Sequence, residues 1–403
     1  MNIAIFTNNY LPNPYGVPGS IESFRKAFEM MGSARNASAT LQRSDAGGHQ
    51  VYIFAPRWPG YADENKNVFR YPSLNISYKI KFPLAIPYSG KIDKILEKLD
   101  LDIIHAQHPN LLGSAAMKWA RKKNIPLVFT WHTLYDQYAH FAPLIPEKLA
   151  AWWTIRNARN YTNQCDFVIT PTPFVKEIIR GWGVTNKNIT AIPTGVEETM
   201  FANPDRYFLR KKYNIKENEI VLLSVGRFTA EKNMEFLFTA VIEILKNNKD
   251  TKFLVGGEGY LKEKLEKIIA VEGVKDQVIF AGFVADEIKK DFYAAGDIFV
   301  FASKSETQGM ILTEAMYVGL PIVAVRAPGA RDIILDRETG FLIQEEKKEF
   351  AGAIEKLING KELRNKFSEN ARKIAKEKYT STICAQKMLD VYEQAIKLKK
   401  MSS

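Results

Sequence analysis

Only two cysteines, Cys165 and Cys384, occur in the chain, far apart and without metal-ligand spacing. That argues against a disulfide framework and leaves free buried thiols as the expectation. Long apolar runs are missing too, so no segment reads as a bilayer span. The chain opens on an apolar strand, Ile3-Ala4-Ile5-Phe6, without the basic start and apolar core of a secretion signal, and a cytoplasmic location is expected. A complete glycine fingerprint for a dinucleotide is also absent. Gly257-Glu258-Gly259 begins one, but Lys262 stands where the third glycine belongs, and Gly16-Val17-Pro18-Gly19 lacks the full spacing. A hydride-transferring enzyme is thereby disfavoured. So is a nucleic-acid-binding protein, for want of an aromatic-rich binding strand or an Arg/Lys run.

What is present suffices for two ordinary cores: 403 residues, 46% of them hydrophobic. The net charge of +11 is unevenly spread. Residues 1–195 hold 22 Lys and Arg against 13 Asp and Glu, whereas residues 196–403 hold 34 against 32. A basic first half suits a negatively charged partner, an anionic membrane surface or a nucleic acid, although a dispersed excess is also common on ordinary enzymes.

Apolar strands alternate with helical stretches, the pattern of parallel α/β sheets. The first half reads as strands at Ile3–Phe6, Val51–Ala55, Asp102–Ala106, Leu127–Thr130, Phe167–Thr170 and Ile189–Ile192. The second reads as strands at Ile220–Val225, Phe253–Val255, Val278–Ala281, Ile298–Phe301, Ile322–Val325 and Gly340–Ile343. The break falls after Ile192-Pro193-Thr194-Gly195, dividing the chain into domains 1–195 and 196–381, and from Lys347 onward the chain reads as helices only. Residues 33–47 are small and polar, cannot form much core, and read as a surface loop or inserted sequence. Asn36-Ala37-Ser38 matches a glycosylation acceptor, which means little without a secretion signal.

Two stretches at strand ends carry the chemical signal. Glu306-Thr307-Gln308-Gly309-Met310-Ile311-Leu312-Thr313-Glu314 places two carboxylates eight positions apart around a glycine, between a strand and a helix that ends near Gly319-Leu320-Pro321. It should therefore lie at the carboxyl edge of a parallel sheet, where ligands of doubly wound folds bind. Upstream, Gly226-Arg227-Phe228-Thr229-Ala230-Glu231-Lys232 again joins a strand to a helix start. Arg227 offers a planar fork and Lys232 a compact charge, a pairing suited to a diphosphate over a helix N-terminus. Two such cations can do what a divalent metal does elsewhere, while the plain alternative is a solvated pair beside Glu231. Two carboxylates alone would also fit a glycosidase, but a hydrolase has no need of the upstream Arg and Lys. His132 follows another strand, with His105 and His108 as weaker candidates. Asp100-Leu101-Asp102 looks like a metal-binding pair, yet it precedes its strand and belongs to the wrong sheet edge.

In their order along the chain, Gly16, His132, Gly226-Arg227 with Lys232, Val255-Gly256-Gly257-Glu258-Gly259, Phe280-Ala281-Gly282-Phe283-Val284 and the Glu306 to Glu314 pair resemble the retaining glycosyltransferases of family 4. The resemblance covers nearly all of the chain. It implies the GT-B fold, with two Rossmann-like domains facing a cleft, and a final helix, about 382–403, packing back on an acceptor-binding first domain. The second domain would then bind the nucleotide sugar. Catalytic roles are implied for His132, Glu306, Arg227 and Lys232, with no metal and no cofactor. His132 would orient or polarise the donor sugar, with the departing phosphate as an alternative base. Donor contacts are implied for Gly16, Gly257, Phe283, Gln308, Gly309, Met310, Ile311 and Glu314, the last taking ribose hydroxyls.

His132-Thr133-Leu134-Tyr135-Asp136-Gln137-Tyr138 is similar to a pattern in members that glycosylate diacylglycerol, which marks Tyr135 and Tyr138 for the acceptor. Lys79 and Lys81 lie among apolar residues in Ser77–Pro87, and Trp152 and Trp153 beside Lys148 and Arg156. Both compositions suit a membrane interface, although the tryptophans could equally be core. The expectation is a glucosyl transfer from UDP-glucose to a glycerolipid by a cytoplasmic enzyme peripheral on the inner face of the plasma membrane. GDP-mannose with phosphatidylinositol or a soluble glycan is the alternative.

Overall fold

The computed structural model describes residues 1–13, 16–36, 48–78, 80–134 and 146–402. They form two compact units, Met1–Gly195 together with Ser381–Ser403, and Val196–Thr380.

The first unit contains β1 (Asn2–Phe6), β2 (Gln50–Pro56), β3 (Val68–Tyr71), β4 (Ser73–Tyr78), β5 (Ile80–Ala85), β6 (Ile103–Ala106), β7 (Leu127–Thr130), β8 (Phe167–Thr170) and β9 (Ile189–Ala191). Seven of these make a parallel sheet in the order β3-β2-β1-β6-β7-β8-β9. β6, β7 and β8 are buried along their whole length, which is why they read as unbroken apolar runs. The last helix, Ser381–Ser402, joins this unit. Its Cys384, Ala385, Met388, Leu389, Tyr392 and Ala395 recur at helical spacing and are buried in the core that holds Ile3, Ile5 and Phe28.

The second unit contains β10 (Ile220–Val225), β11 (Thr251–Gly256), β12 (Val278–Gly282), β13 (Ile298–Phe301), β14 (Ile322–Val325) and β15 (Gly340–Ile343), all parallel in the order β12-β11-β10-β13-β14-β15. In both sheets the chain starts at a central strand, runs outward to one side, then returns and fills the other. The switch points fall between β1 and β6 and between β10 and β13. At such a point the loops leaving two adjacent strands diverge and leave a crevice at their carboxyl ends.

Several readings need correction. The helix Val17–Asn36 runs through residues 33–36, so the segment read as a loop from residue 33 starts as helix; residues 37–47 lie outside the described ones. Ala34 and Arg35 favour helix enough to extend it. β3 was not anticipated, and Ser77–Pro87 falls largely within the antiparallel pair β4–β5. Lys79, Tyr135 and Tyr138 lie outside the described residues, as does the side chain of Lys81. Trp152 and Trp153 are not core: on the helix Glu147–Thr162 they are 58% and 59% exposed. Among the described residues no helix is long and apolar enough to cross a membrane.

Candidate active site

The second unit's switch point gathers both motifs that the sequence singles out. After β10 the chain turns through Gly226-Arg227-Phe228-Thr229 and a short 3-10 turn, Ala230–Lys232, before the helix Met234–Asn247. After β13 it turns through Ser303–Gly309 into the helix Met310–Val318. Lys232 Nζ forms an ion pair with Glu306 Oε1 across the gap, and the Ser303 hydroxyl donates to the same carboxylate oxygen at 3.2 Å. Ser224, Gly226, Lys232, Ser303, Glu306 and Ile311 line a small cavity there. Burial pushes the Glu306 carboxyl up, but the Lys232 charge and hydrogen bond, Ser303 and the Arg227 charge outweigh it and hold the group below its ordinary range. Glu306 is thus a carboxylate at neutral pH. Arg227 is 40% exposed and pairs with Glu231 at 3.2 Å, so both cations sit against carboxylates on the same side of the sheet edge.

Glycines let these loops approach. At Gly257, φ is +132°, and an added Cβ would lie 1.9 Å from the Gly226 carbonyl oxygen. Main-chain bonds then stitch the two turns together, Gly226 N–H to Gly256 O at 3.0 Å and Phe228 N–H to Glu258 O at 2.9 Å. Gly257 therefore packs against the arginine turn. Gly309, with φ +76°, reverses the chain immediately before the helix Met310–Val318, whose first turn offers Met310 and Ile311 half-buried; Gln308 is buried. Phe283 follows β12 and is 52% exposed.

Glu314, one turn into that helix, is buried and uses both oxygens: the Tyr293 hydroxyl donates to Oε2 at 2.7 Å and Lys289 Nζ to Oε1 at 3.1 Å. Burial alone would lower the Lys289 pKa, but Glu314 and Asp286 outweigh it and hold the ammonium above its ordinary value. Burial and the Glu314 charge raise the Tyr293 phenol well above its own, so it remains a donor. The carboxylate is fixed by two charge-assisted bonds and retains lone pairs for a further donor.

In the first unit, Gly16 (φ +66°) begins the helix Val17–Asn36 and is exposed. His132 lies just past β7 at that unit's own switch-side edge. Its Nε2 is 2.6 Å from Gln107 Oε1, which makes Nε2 the N–H and leaves Nδ1 with the lone pair. Burial, with His108 and His105 adjacent, pushes its pKa down to about 3. So weak a base is poorly matched to proton abstraction at neutral pH and better suited to orienting a neighbour as a neutral dipole. His108 takes the Asn8 N–H on Nδ1 at 3.1 Å, and burial lowers its pKa to about 4. The lure at Asp100-Leu101-Asp102 is structural: Asp102 accepts the Asn2 N–H at 2.7 Å at the opening end of β1.

Sequence reasoning missed Ser303, Gln107, Lys289, Tyr293 and Gly329. Lys289 and Tyr293 stand four apart on the helix Asp286–Ala294, a spacing that marks a shared face. Gly329 packs on the Glu306 turn, where an added Cβ would meet Glu306 Cβ at 2.9 Å. Its signal was the Pro328-Gly329 pair.

Comparison with known proteins gives the family and the fold. Residues 205–374 match the family described as Glycosyl transferases group 1, and residues 32–199 match Glycosyltransferase Family 4. The chain is 30% identical over 375 residues to the alpha-monoglucosyldiacylglycerol synthase of Streptococcus pneumoniae, covering 88% of this chain and 77% of that one. It is 27% identical over 414 residues to the Acholeplasma laidlawii enzyme of the same name, covering 98% of each. The crystal structure of Anabaena HepE with UDP and glucose shares the fold, with a TM-score of 0.73 at 18% identity over 97% of this chain and 99% of that one. The chain belongs to the family 4 glycosyltransferases and is a glycosyltransferase of the GT-B fold.

Proposed function

We propose that the protein is a retaining, metal-independent hexosyltransferase that moves glucose from UDP-glucose to a membrane glycerolipid such as diacylglycerol. The observation that carries the donor half is the Arg227, Lys232 and Glu306 cluster at the second unit's switch point. In the reaction the bond from the anomeric carbon to the β-phosphate oxygen breaks and a bond to the acceptor hydroxyl oxygen forms on the same face. The acceptor proton passes to the departing phosphate, and UDP leaves. Negative charge grows on the diphosphate as it departs, and Arg227 and Lys232 are the groups that take it up. Glu314, held by Tyr293 and Lys289, receives the ribose hydroxyls. His132, neutral and fixed by Gln107, orients the sugar.

The acceptor half draws on the two glucosyldiacylglycerol synthases among the relatives and on the helix Glu147–Thr162. Leu149, Trp152 and Trp153 stand at helical spacing and are each more than half exposed, with the Arg156 guanidinium 5.3 Å from the Trp152 ring. An outward apolar face bordered by cations suits an anionic membrane surface, where each basic residue adds about 1 kcal/mol. A peripheral enzyme working on the cytoplasmic face follows from that reading.

The test is transfer from labelled UDP-glucose, other UDP-hexoses and GDP-mannose into chloroform-extractable lipid, using anionic vesicles containing diacylglycerol, with EDTA present. Labelled lipid from UDP-glucose supports the reading. Lipid labelled only from GDP-mannose overturns the donor, no lipid product overturns the acceptor, and activity lost to EDTA overturns metal independence.

A further inference from the structure

Beneath His132 lies a buried polar chain that begins on the last helix of the protein. Tyr392, fully buried on Ser381–Ser402, places its hydroxyl 2.6 Å from His105 Nδ1; His105 Nε2 is 2.7 Å from Thr130 Oγ1. The two rings meet edge to face at 5.7 Å. His105 belongs to β6 and Thr130 is the last residue of β7, adjacent strands paired with Ala106 opposite Phe129. Two residues beyond each, just past the ends of the two strands, Gln107 and His132 make the second rung at 2.6 Å. On the far side the Trp131 N–H bonds Ile169 O on β8 at 2.9 Å, so His132 is flanked by an anchored neighbour there and by the Thr130 rung here.

With both ring nitrogens of His105 engaged, β6 and β7 are tied by side chains at their carboxyl ends, one strand from the switch point, and the Tyr392 hydroxyl fixes which way the imidazole faces. Without it, a buried ring nitrogen loses its partner and the ring can turn away from Thr130. From this geometry we propose that Tyr392 is a positioning residue for His132, acting through His105 and Thr130. The end of the chain thereby helps to set the catalytic geometry of a site on β7. The inference rests on the orienting role given above to His132.

The test compares Tyr392→Phe, which removes only the hydroxyl, with Leu389→Ala, which loosens the same helix at a buried apolar position, and with His132→Ala. Selective 15N labelling of histidine gives a readout that needs no substrate: Tyr392→Phe should shift or split the His132 ring signals, identified by their loss in His132→Ala, while Leu389→Ala leaves them in place. In the vesicle assay with UDP-glucose and diacylglycerol, Tyr392→Phe should lower kcat by about 10- to 100-fold with KM for the donor unchanged, the cost of a small misplacement. Leu389→Ala should lower the melting temperature and spare kcat. Unmoved His132 signals in Tyr392→Phe overturn the proposal, as does a loss of kcat that tracks melting temperature equally in both helix variants. Full transfer by His132→Ala sinks the role of His132 itself, a result separable from silence of Tyr392→Phe in an enzyme that needs His132.

Discussion

Lys232 reaches across the switch point of the second sheet to Glu306, tying the turn after β10 to the turn after β13. The pair is part-buried, so each charge stands in for solvent that the other has lost. Under the proposed function, a diphosphate arriving there meets a lysine already held in place.

Glu306→Gln keeps the shape of the side chain and removes its charge. Transfer should fall by about one to two decades, the range expected for one charge-assisted contact of about 1.5–3 kcal/mol. Arg227→Ala, at a half-exposed position, should cost a similar factor with the melting temperature little changed. Steady-state kinetics beside calorimetry separate the two effects, and normal turnover in either variant would remove that residue from the site.

Tyr293→Phe takes away the hydroxyl that donates to Glu314 Oε2. A buried carboxylate oxygen then loses a partner, which should destabilise the second unit by about 1–3 kcal/mol. If Glu314 takes the ribose, KM for the nucleotide sugar should rise several-fold while kcat at saturation changes little. Urea unfolding and donor titration measure the two quantities independently.

Acid should destabilise the first unit through its histidines. Burial holds His105 and His132 near pKa 3 and His108 near 4, against an ordinary value of 6.5. The unfolded chain therefore binds more protons below pH 6.5, down to about 4 for His108 and about 3 for His105 and His132. Stability is at its plateau above 6.5 and falls as pH drops through that window, by up to about 1.4 kcal/mol per pH unit for each histidine. Melting temperatures from pH 8 to 4 should show the fall, and His105→Gln should shallow it; a flat profile would contradict the burial of these rings.

Trp152→Ser with Trp153→Ser should weaken sedimentation with anionic vesicles by about tenfold or more, since both rings lose an apolar contact. Binding by the unaltered protein should also decline with salt, which screens the basic residues. Undiminished vesicle binding would assign the membrane contact elsewhere.

The regular parts of the fold were legible because parallel strands buried on both faces are apolar along their length. β7, β8, β10, β13, β14 and β15 have the same limits in the sequence reading and in the structure. β3 was hidden because Val68-Phe69-Arg70-Tyr71 is short and carries a charge, and Arg70 spends that charge on Asp63 and the carbonyls of Pro56 and Leu11. β5 was hidden by Pro83, which breaks the usual strand pattern. At the site, Arg227, Lys232, Glu306 and Glu314 stood out by spacing next to strands. Tyr293 and Lys289 did not, because they reach Glu314 from a helix more than twenty residues earlier in the chain.

By itself, the sequence determined the alternation of strand and helix, the break after Gly195 and the kinds of residue waiting at each carboxyl strand end, since periodicity and turn chemistry are local properties. Only the tertiary structure decided which of those residues meet. Lys232 meets Glu306 because β13 lies beside β10, although two strands intervene along the chain, and Tyr392 meets His105 because the last helix returns to the first unit. Strand order and helix return are settled by the burial of whole faces against one another, and no local stretch of sequence carries that information.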